Sequence, residues 1–241
     1  MRDFFKKRLS PHSSKKSYSQ CGEDVIIEFL MKNHLNIQQP NYLDIGANDP
    51  VKFNNTYLFY LQGCRGVLVE PDPELAKKLK KTRPDDRLLN VGISDKAGKK
   101  DLYLMEPHTL NTFSKREAEL YQKFYPGVKQ VGKHKTKIVT INDVIDRYFT
   151  EGLDILSIDI EGLDKIVIKN LDLQKCRPKL VCIESMVYGD NHTLSKSKDI
   201  ANYLFDNAYF KYADTFVNSI FVDKHDWETK KQPKLINIEG F

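Results

Sequence analysis

The sequence predicts an α/β fold: a three-layer, Rossmann-like sheet, mostly parallel, with an antiparallel C-terminal strand, a hairpin insertion and an N-terminal helix. Three observations carry that expectation. Short apolar runs alternate with helix-length amphipathic segments along most of the 241 residues. The runs are short and continuous, as strands covered by helices on both faces are. Several stop abruptly at Asp, Glu or Gly, and sheets of this kind bind ligands beyond the carboxyl ends of their strands.

The elements follow in order. Residues 1–17, MRDFFKKRLSPHSSKKS, read as a basic arm without the apolar stretch of a secretory signal. In SQCGEDVIIEFLMKNHL, Val25, Ile26, Phe29, Leu30 and His34 recur at helical spacing behind a polar start. NYLDIG is a short buried strand. NNTYLFYLQGC is a helix capped by Asn55 or Thr56 and stopped at Gly63. RGVLVEP is a second strand, DPELAKKLKKTR a helix opened by Asp72, and RLLNVGIS a third strand. KKDLYLM and KTKIVTI pair as a hairpin around a polar excursion that carries aromatic residues. NDVIDRYF is a helix, DILSIDIEG the fourth strand, DKIVIKNL a helix and KLVCIES the fifth strand. A helix over residues 195–207 precedes a closing pair, FKYADTF with NSIFVDK. Residues 18–241 read as one domain.

Composition narrows the function classes. With 40% apolar residues the chain can bury a sizeable core, but its longest apolar runs are far too short to cross a bilayer. Cys21, Cys64, Cys176 and Cys182 form neither a CxxC nor a Cys/His pattern, which argues against zinc and for thiols in a reducing cytoplasm. The net charge is +5, with lysine clusters in residues 77–81, 96–100 and 129–137. Such clusters usually form solvated faces, yet their sign suits an acidic small-molecule or glycan acceptor. GVKQVGKHKTK lacks an adjacent pair of stacking aromatics, so nucleic acid is not the expected partner.

The first strand ends in GANDP. A dinucleotide loop wants GxGxxG, whereas here Gly46 stands alone before Ala47, Asn48, Asp49 and Pro50. Asp44 can accept from a ligand ammonium, and Gly46 lets the backbone come close. Glu70, ending the second strand, can take both hydroxyls of a ribose. A ligand with an amino acid at one end and a ribose at the other is S-adenosylmethionine.

At this point the chain resembles the FkbM family of S-adenosylmethionine-dependent methyltransferases, which share the class I methyltransferase fold. The features that carry the resemblance are YSQCGEDVI, YLDIGANDP, NNTYLFYLQGCRGVLVEPDP, NVGISDKAG, VTINDVI, LSIDIEGLD and PKLVCIES, in family order from about Tyr18 to Ser185. The resemblance implies O-methylation, often of a sugar in glycan or polyketide assembly. It implies a cofactor site around Asp44, Gly46, Ala47, Asn48, Asn55, Thr56, Glu70 and Pro71. The turn bearing Gln20, Glu23 and Asp24 folds over cofactor or substrate, or only caps its helix. Gly92, Ile93 and Ser94 stand where class I enzymes hold adenine, although Ile93 suits a core equally well. Asn55 and Thr56 serve as a helix cap, as ligand contacts, or as both. Pro50 departs from the Gly that many members carry.

The chemistry is expected in SIDIEG and IES. Ile158 and Ile160 point to one side of their strand, so Asp159 and Glu161 share the other. Glu184 ends the neighbouring strand. Three converging carboxylates repel one another, so a divalent cation, a substrate cation or a proton must offset them. Oxygen ligands favour Mg or Mn over Zn, with Asp159 and Glu184 as candidate ligands. Asp159, Glu161 and His192 are candidate bases, against plainer roles for Glu161 and Glu184 as helix caps and for His192 as a surface residue. An amine target would want an Asn/Asp–Pro–Pro–aromatic run where DIEG stands.

Overall fold

A computed structural model describes residues 15–188 and 194–229. In chain order its strands are β1 (Tyr42–Ile45), β2 (Gly66–Val69), β3 (Arg87–Leu89), β4 (Gly92–Ile93), β5 (Gly98–Glu106), β6 (Lys129–Val139), β7 (Ile155–Ile158), β8 (Leu180–Glu184), β9 (Met186–Tyr188), β10 (Leu194–Lys196), β11 (Tyr209–Asp214) and β12 (Asn218–Asp223). The helices are α1 (Glu23–Phe29), α2 (Tyr57–Leu61), α3 (Pro73–Thr82), α4 (Lys115–Phe124), α5 (Ile141–Tyr148), α6 (Asp164–Asn170), α7 (Lys198–Asp206) and α8 (Lys224–Thr229).

The central sheet has the order β11-β12-β8-β7-β1-β2-β3. β3, β2, β1, β7 and β8 run parallel, and β12 lies antiparallel to both of its neighbours. The chain enters at β1, winds outward to β3, and returns to the other side of β1 as β7. That reversal is the switch point where open parallel sheets bind ligands.

Pleating divides the core between two layers. Leu43, Ile45, Val67, Val69, Leu156 and Ile158 pack on one face with Val144, Ile145, Val167, Ile168 and Leu204 from α5, α6 and α7. Tyr42, Leu68, Ile155, Leu180 and Cys182 pack on the other with Ile27, Phe59 and Leu79 from α1, α2 and α3. Local chemistry sets the helix starts. The Asp72 side chain accepts from the Glu74 and Leu75 amides, and Thr140 with Asp143 forms a reciprocal capping box.

The structure departs from the sequence expectation in four places. RLLNVGIS is two strands, because Asn90 turns aside to donate to Glu70 O (2.8 Å). β3 therefore closes the main sheet while β4 joins β6 and β5 in a separate three-stranded sheet. The excursion between β5 and β6 contains a 3₁₀ turn, His108–Leu110, and the helix α4. Residues 194–196 pair with β9, so α7 begins at Lys198 behind a Ser197 cap. The fourth strand stops at Ile158, so Asp159 and Glu161 do not share a strand face. The four cysteines are free, with Cys21 exposed and the others buried.

Candidate active site

The site is built from three strand-end loops. After β1, Gly46 adopts φ +87°, and a Cβ there would lie 1.8 Å from Asp159 O, so only glycine fits. Asn48 follows in the left-handed region (φ 47°), which Asn tolerates better than most residues. Its amide donates to Glu70 Oε2 (2.8 Å), while the Asp72 amide donates to Glu70 Oε1 (2.8 Å). Glu70 thus sits buried just past β2 with a fixed carboxylate. Burial pushes its pKa up to about 7 despite those two donors.

Asp44 faces elsewhere. It accepts from Thr56 Oγ1 (2.6 Å) inside a buried network centred on Arg83. Arg83 donates to Asp86 (2.8 Å), Asn54 Oδ1 (3.0 Å), the Tyr42 hydroxyl (3.0 Å) and Thr56 Oγ1 (3.0 Å). Thr56 occupies the N-cap of α2, but its hydroxyl serves Asp44 rather than the helix. Asn55 donates to Ser157 Oγ (3.2 Å) beneath the sheet.

The expected carboxylates do converge, by a turn rather than by alternation. Glu161 takes φ 48°, and one carboxylate oxygen each from Asp159, Glu161 and Glu184 lies within 4.8 Å of the others. The insertion braces this turn. Tyr121 from α4 donates to Glu161 Oε2 (2.5 Å), and Thr112 Oγ1 donates to Glu161 O (2.7 Å). Asp164, at the start of α6, accepts from the Ile160 and Gly162 amides (3.1 and 3.2 Å). Desolvation first, then the charges of Asp164 and Asp44, raise Asp159 to about 7; desolvation, then Asp159 for Glu161 and Glu161 with Asp159 for Glu184, hold those two well above the usual carboxyl range. Desolvation also raises Asp164, to about 6. Lys196 acts on Glu184, but its Nζ is already bound to Asp214 Oδ1 (2.9 Å) and Ser185 Oγ (3.1 Å).

A cavity of about 600 Å³ joins these loops. Gln20, Gly46, Asn48, Glu70, Pro71 and Asp159 line it, and so do Glu161 and Glu184. Asp44, Ala47, Asn55 and Thr56 lie outside its lining, buried behind the loop. Asp24 is also outside it, accepting from Ser17, Ser19 and the Tyr18 amide. Ile93 is core, Gly92 is backed by Phe113, and Ser94 accepts from Lys100 Nζ (2.6 Å). His192 lies outside the described residues.

Sequence reasoning missed one whole wall of this cavity. Leu102, His108, Leu110, Asn111, Phe113 and Tyr125 all come from the insertion. No motif marks them, and only the aromatic content of the excursion hinted at them. It also missed Phe53 and Phe216, which line the cavity yet remain 64% and 66% exposed in the left-handed region (φ 56° and 70°).

Comparison with known proteins places this geometry. The Methyltransferase FkbM domain family matches residues 44–212, more than half of the chain. No curated protein matches the chain. Among solved structures, the chain is similar to a TehB-like SAM-dependent methyltransferase from Corynebacterium glutamicum (10% identity, 92% of this chain and 97% of that one, TM-score 0.41). It is likewise similar to a precorrin-6y C5,15-methyltransferase from Geobacter metallireducens (11%, 90% and 95%, TM-score 0.43). An O-methyltransferase from Bacillus cereus in complex with SAH is a third (12%, 92% and 86%, TM-score 0.39). A parallel sheet with its switch point at β1 and β7, an acidic residue closing β2, and the family match over residues 44–212 lead to one conclusion: the chain belongs to the FkbM methyltransferase family and is an S-adenosylmethionine-dependent methyltransferase.

Proposed function

We propose that the protein is an O-methyltransferase acting on a hydroxyl of a sugar, in glycan, polysaccharide or nucleotide-sugar metabolism. The observation that carries this reading is Asp159, a partly buried carboxyl raised to about 7 in the same cavity as Glu70. A base poised near neutral pH suits removal of a hydroxyl proton. The cavity also fits the methyl donor. Its volume is that of a cofactor site, and two of its lining residues, Asn48 and His108, each carry a buried atom (Oδ1 and Nδ1) without a hydrogen-bond partner. S-adenosylmethionine, when bound, supplies a sulfonium methyl group. Glu70 would hold its ribose, with Gln20, Gly46, Asn48 and Pro71 around it. Asp159 orients the acceptor hydroxyl and takes its proton, while Tyr121 and Thr112 fix Glu161 beside it.

The acceptor end supports a ring-shaped substrate. Phe53 and Phe216 present open faces on which the apolar side of a pyranose would stack, and Lys52 lines the same cavity. Lys52 therefore favours an acidic acceptor. The lysines of β6 contribute less, because Lys133, Lys135 and Lys137 are exposed on the face of the hairpin that points away from buried Leu102, and Lys129 is paired with Glu106 (3.0 Å). A second reading has a specific observation behind it: three carboxylate oxygens within 4.8 Å are the right donor set for Mg or Mn. Asp159 and Glu184 would hold such an ion, which would acidify the acceptor hydroxyl. We read residues 18–241 as one domain and its place of action as the cytoplasm; the free thiols support the second point. Among the described residues no helix is long and apolar enough to cross a membrane.

The test is S-adenosylhomocysteine production from a panel of sugar, nucleotide-sugar and neutral apolar acceptors, at low and high salt. Turnover on an acidic sugar that weakens with salt is the expected result. Preference for apolar acceptors, with rates indifferent to salt, overturns the acceptor assignment. Loss of activity in EDTA, restored by Mg or Mn, favours the ion over the side-chain base.

A further inference from the structure

The insertion does more than wall the cavity. Its turn at residues 108–111 is fastened to both loops that flank the nucleoside end of the site. Asn48 Nδ2 donates to His108 O (3.3 Å), and Asn111 Nδ2 donates to Asp72 Oδ2 (3.0 Å). Asn111 Oδ1 in turn accepts from the Met105 amide (2.7 Å), which locks the turn to β5. With Nδ2 facing a carbonyl, Asn48 presents its Oδ1 as the free atom, and that oxygen is buried without a partner. His108 Nδ1 is in the same condition. Both residues line the cavity, and the Asn48 amide is bound to Glu70. Two buried polar atoms left unpaired on two neighbouring lining residues call for a ligand toward which the side chains turn to complete the missing bonds.

We infer that His108 is a donor-binding residue, completing with Glu70 and Asn48 a three-part site for the ribose diol of S-adenosylmethionine. The inference rests on the methyl-donor reading and adds a residue that the strand-end loops do not contain. Its chemistry is complementary. The Glu70 carboxylate and Asn48 Oδ1 only accept, so they match two hydroxyl donors. The His108 ring nitrogen can donate to, or accept from, a hydroxyl that another group leaves half-satisfied. The insertion thereby contributes to donor recognition as well as to the acceptor side.

The experiment is calorimetric titration of the full chain with S-adenosylhomocysteine and 5′-methylthioadenosine, each also as its 2′-deoxy and 3′-deoxy form. Methylthioadenosine lacks the amino-acid end and so isolates the nucleoside contacts. The unmodified protein is expected to lose about tenfold in affinity when the hydroxyl facing His108 is removed, the cost of one net hydrogen bond. His108→Ala is expected to lose a similar factor with the parent ligands and little more with that deoxy form, because the partner is already gone. Ribo and deoxy ligands binding the unmodified protein equally would overturn the inference even if the variant did not fold. Full affinity in a folded His108→Ala would also overturn it. In both cases S-adenosylhomocysteine still binds, so the methyl-donor reading stands; absence of any binding to the unmodified protein would instead overturn that reading.

Discussion

Two groups of acids lie on either side of the first strand, and they are held in opposite ways. Beneath the sheet, Asp44 and Asp86 are buried beside Arg83, whose guanidinium is fully enclosed and donates to four different side chains. At the strand ends, one carboxylate oxygen each of Asp159, Glu161 and Glu184 lies within 4.8 Å of the others, and the Tyr121 hydroxyl donates to Glu161. The first group is compensated by a cation of the chain itself, so it is architecture. Among the described residues the second group has Lys196 acting on Glu184, but that amine is bound to Asp214, so burial and like charge keep the group's pKa values raised where the base is proposed. The contrast teaches that burial alone does not distinguish a working carboxylate; the distinction lies in whether the fold has already supplied its counter-charge.

The sharpest way to break the contrast is to take the cation away. Arg83→Met should destabilise the protein by about 3–5 kcal/mol, because it leaves buried acids uncompensated. Urea denaturation measures this, and a loss under 1 kcal/mol would show that the network is not what holds these acids. Asp159→Asn should do the reverse: keep the fold and S-adenosylhomocysteine affinity while turnover falls by roughly a hundredfold or more. Full activity in that variant would remove Asp159 from the chemistry. Glu70→Ala should weaken S-adenosylhomocysteine by about 1.5–3 kcal/mol, the loss of a charged hydrogen-bonding group, measured by calorimetry.

The pH dependence of stability sharpens the same comparison. Asp159 and Glu70 stand at about 7 and Asp164 at about 6 in the folded chain, above their ordinary values of 3.8 to 4.5. Between those limits the folded state binds more protons than the unfolded state, so stability falls as pH rises. The free protein should be more stable at pH 5 than at pH 8. Asp159→Asn should flatten the slope. A stability that climbs steadily from pH 5 to 8 would contradict these shifts.

The sequence made the frame legible because apolar runs and capping residues report it directly. Asp72 and Thr140 start helices by the chemistry their side chains advertise. The identity of the acidic cluster was legible too, since Glu184 ends a strand and Asp159 and Glu161 closely follow one. Its geometry was not, because Glu161 reaches the others through a left-handed turn that no alternation rule foresees. Asp44 was expected to meet the ligand, and its contacts are instead with Thr56 and the Arg83 network; one Asp at a strand end reads the same whichever way it turns. Tyr121 and His108 were invisible for a further reason. They sit on an insertion whose packing against the loops depends on contacts with residues about 40 and 60 positions away, such as Glu161 and Asn48.

The atom-width gap between Gly46 and the Asp159 carbonyl has a mechanical consequence. The loop after β1 and the loop after β7 ride on one another, so neither can swing without the other yielding. If the proposed donor site is right, binding and release of the nucleoside should be felt at Asp159 as a change in its footing. Amides in residues 46–48 and 159–162 should therefore slow together in deuterium exchange when S-adenosylhomocysteine is added. A hinge with two leaves would move each alone; this one has a single pin.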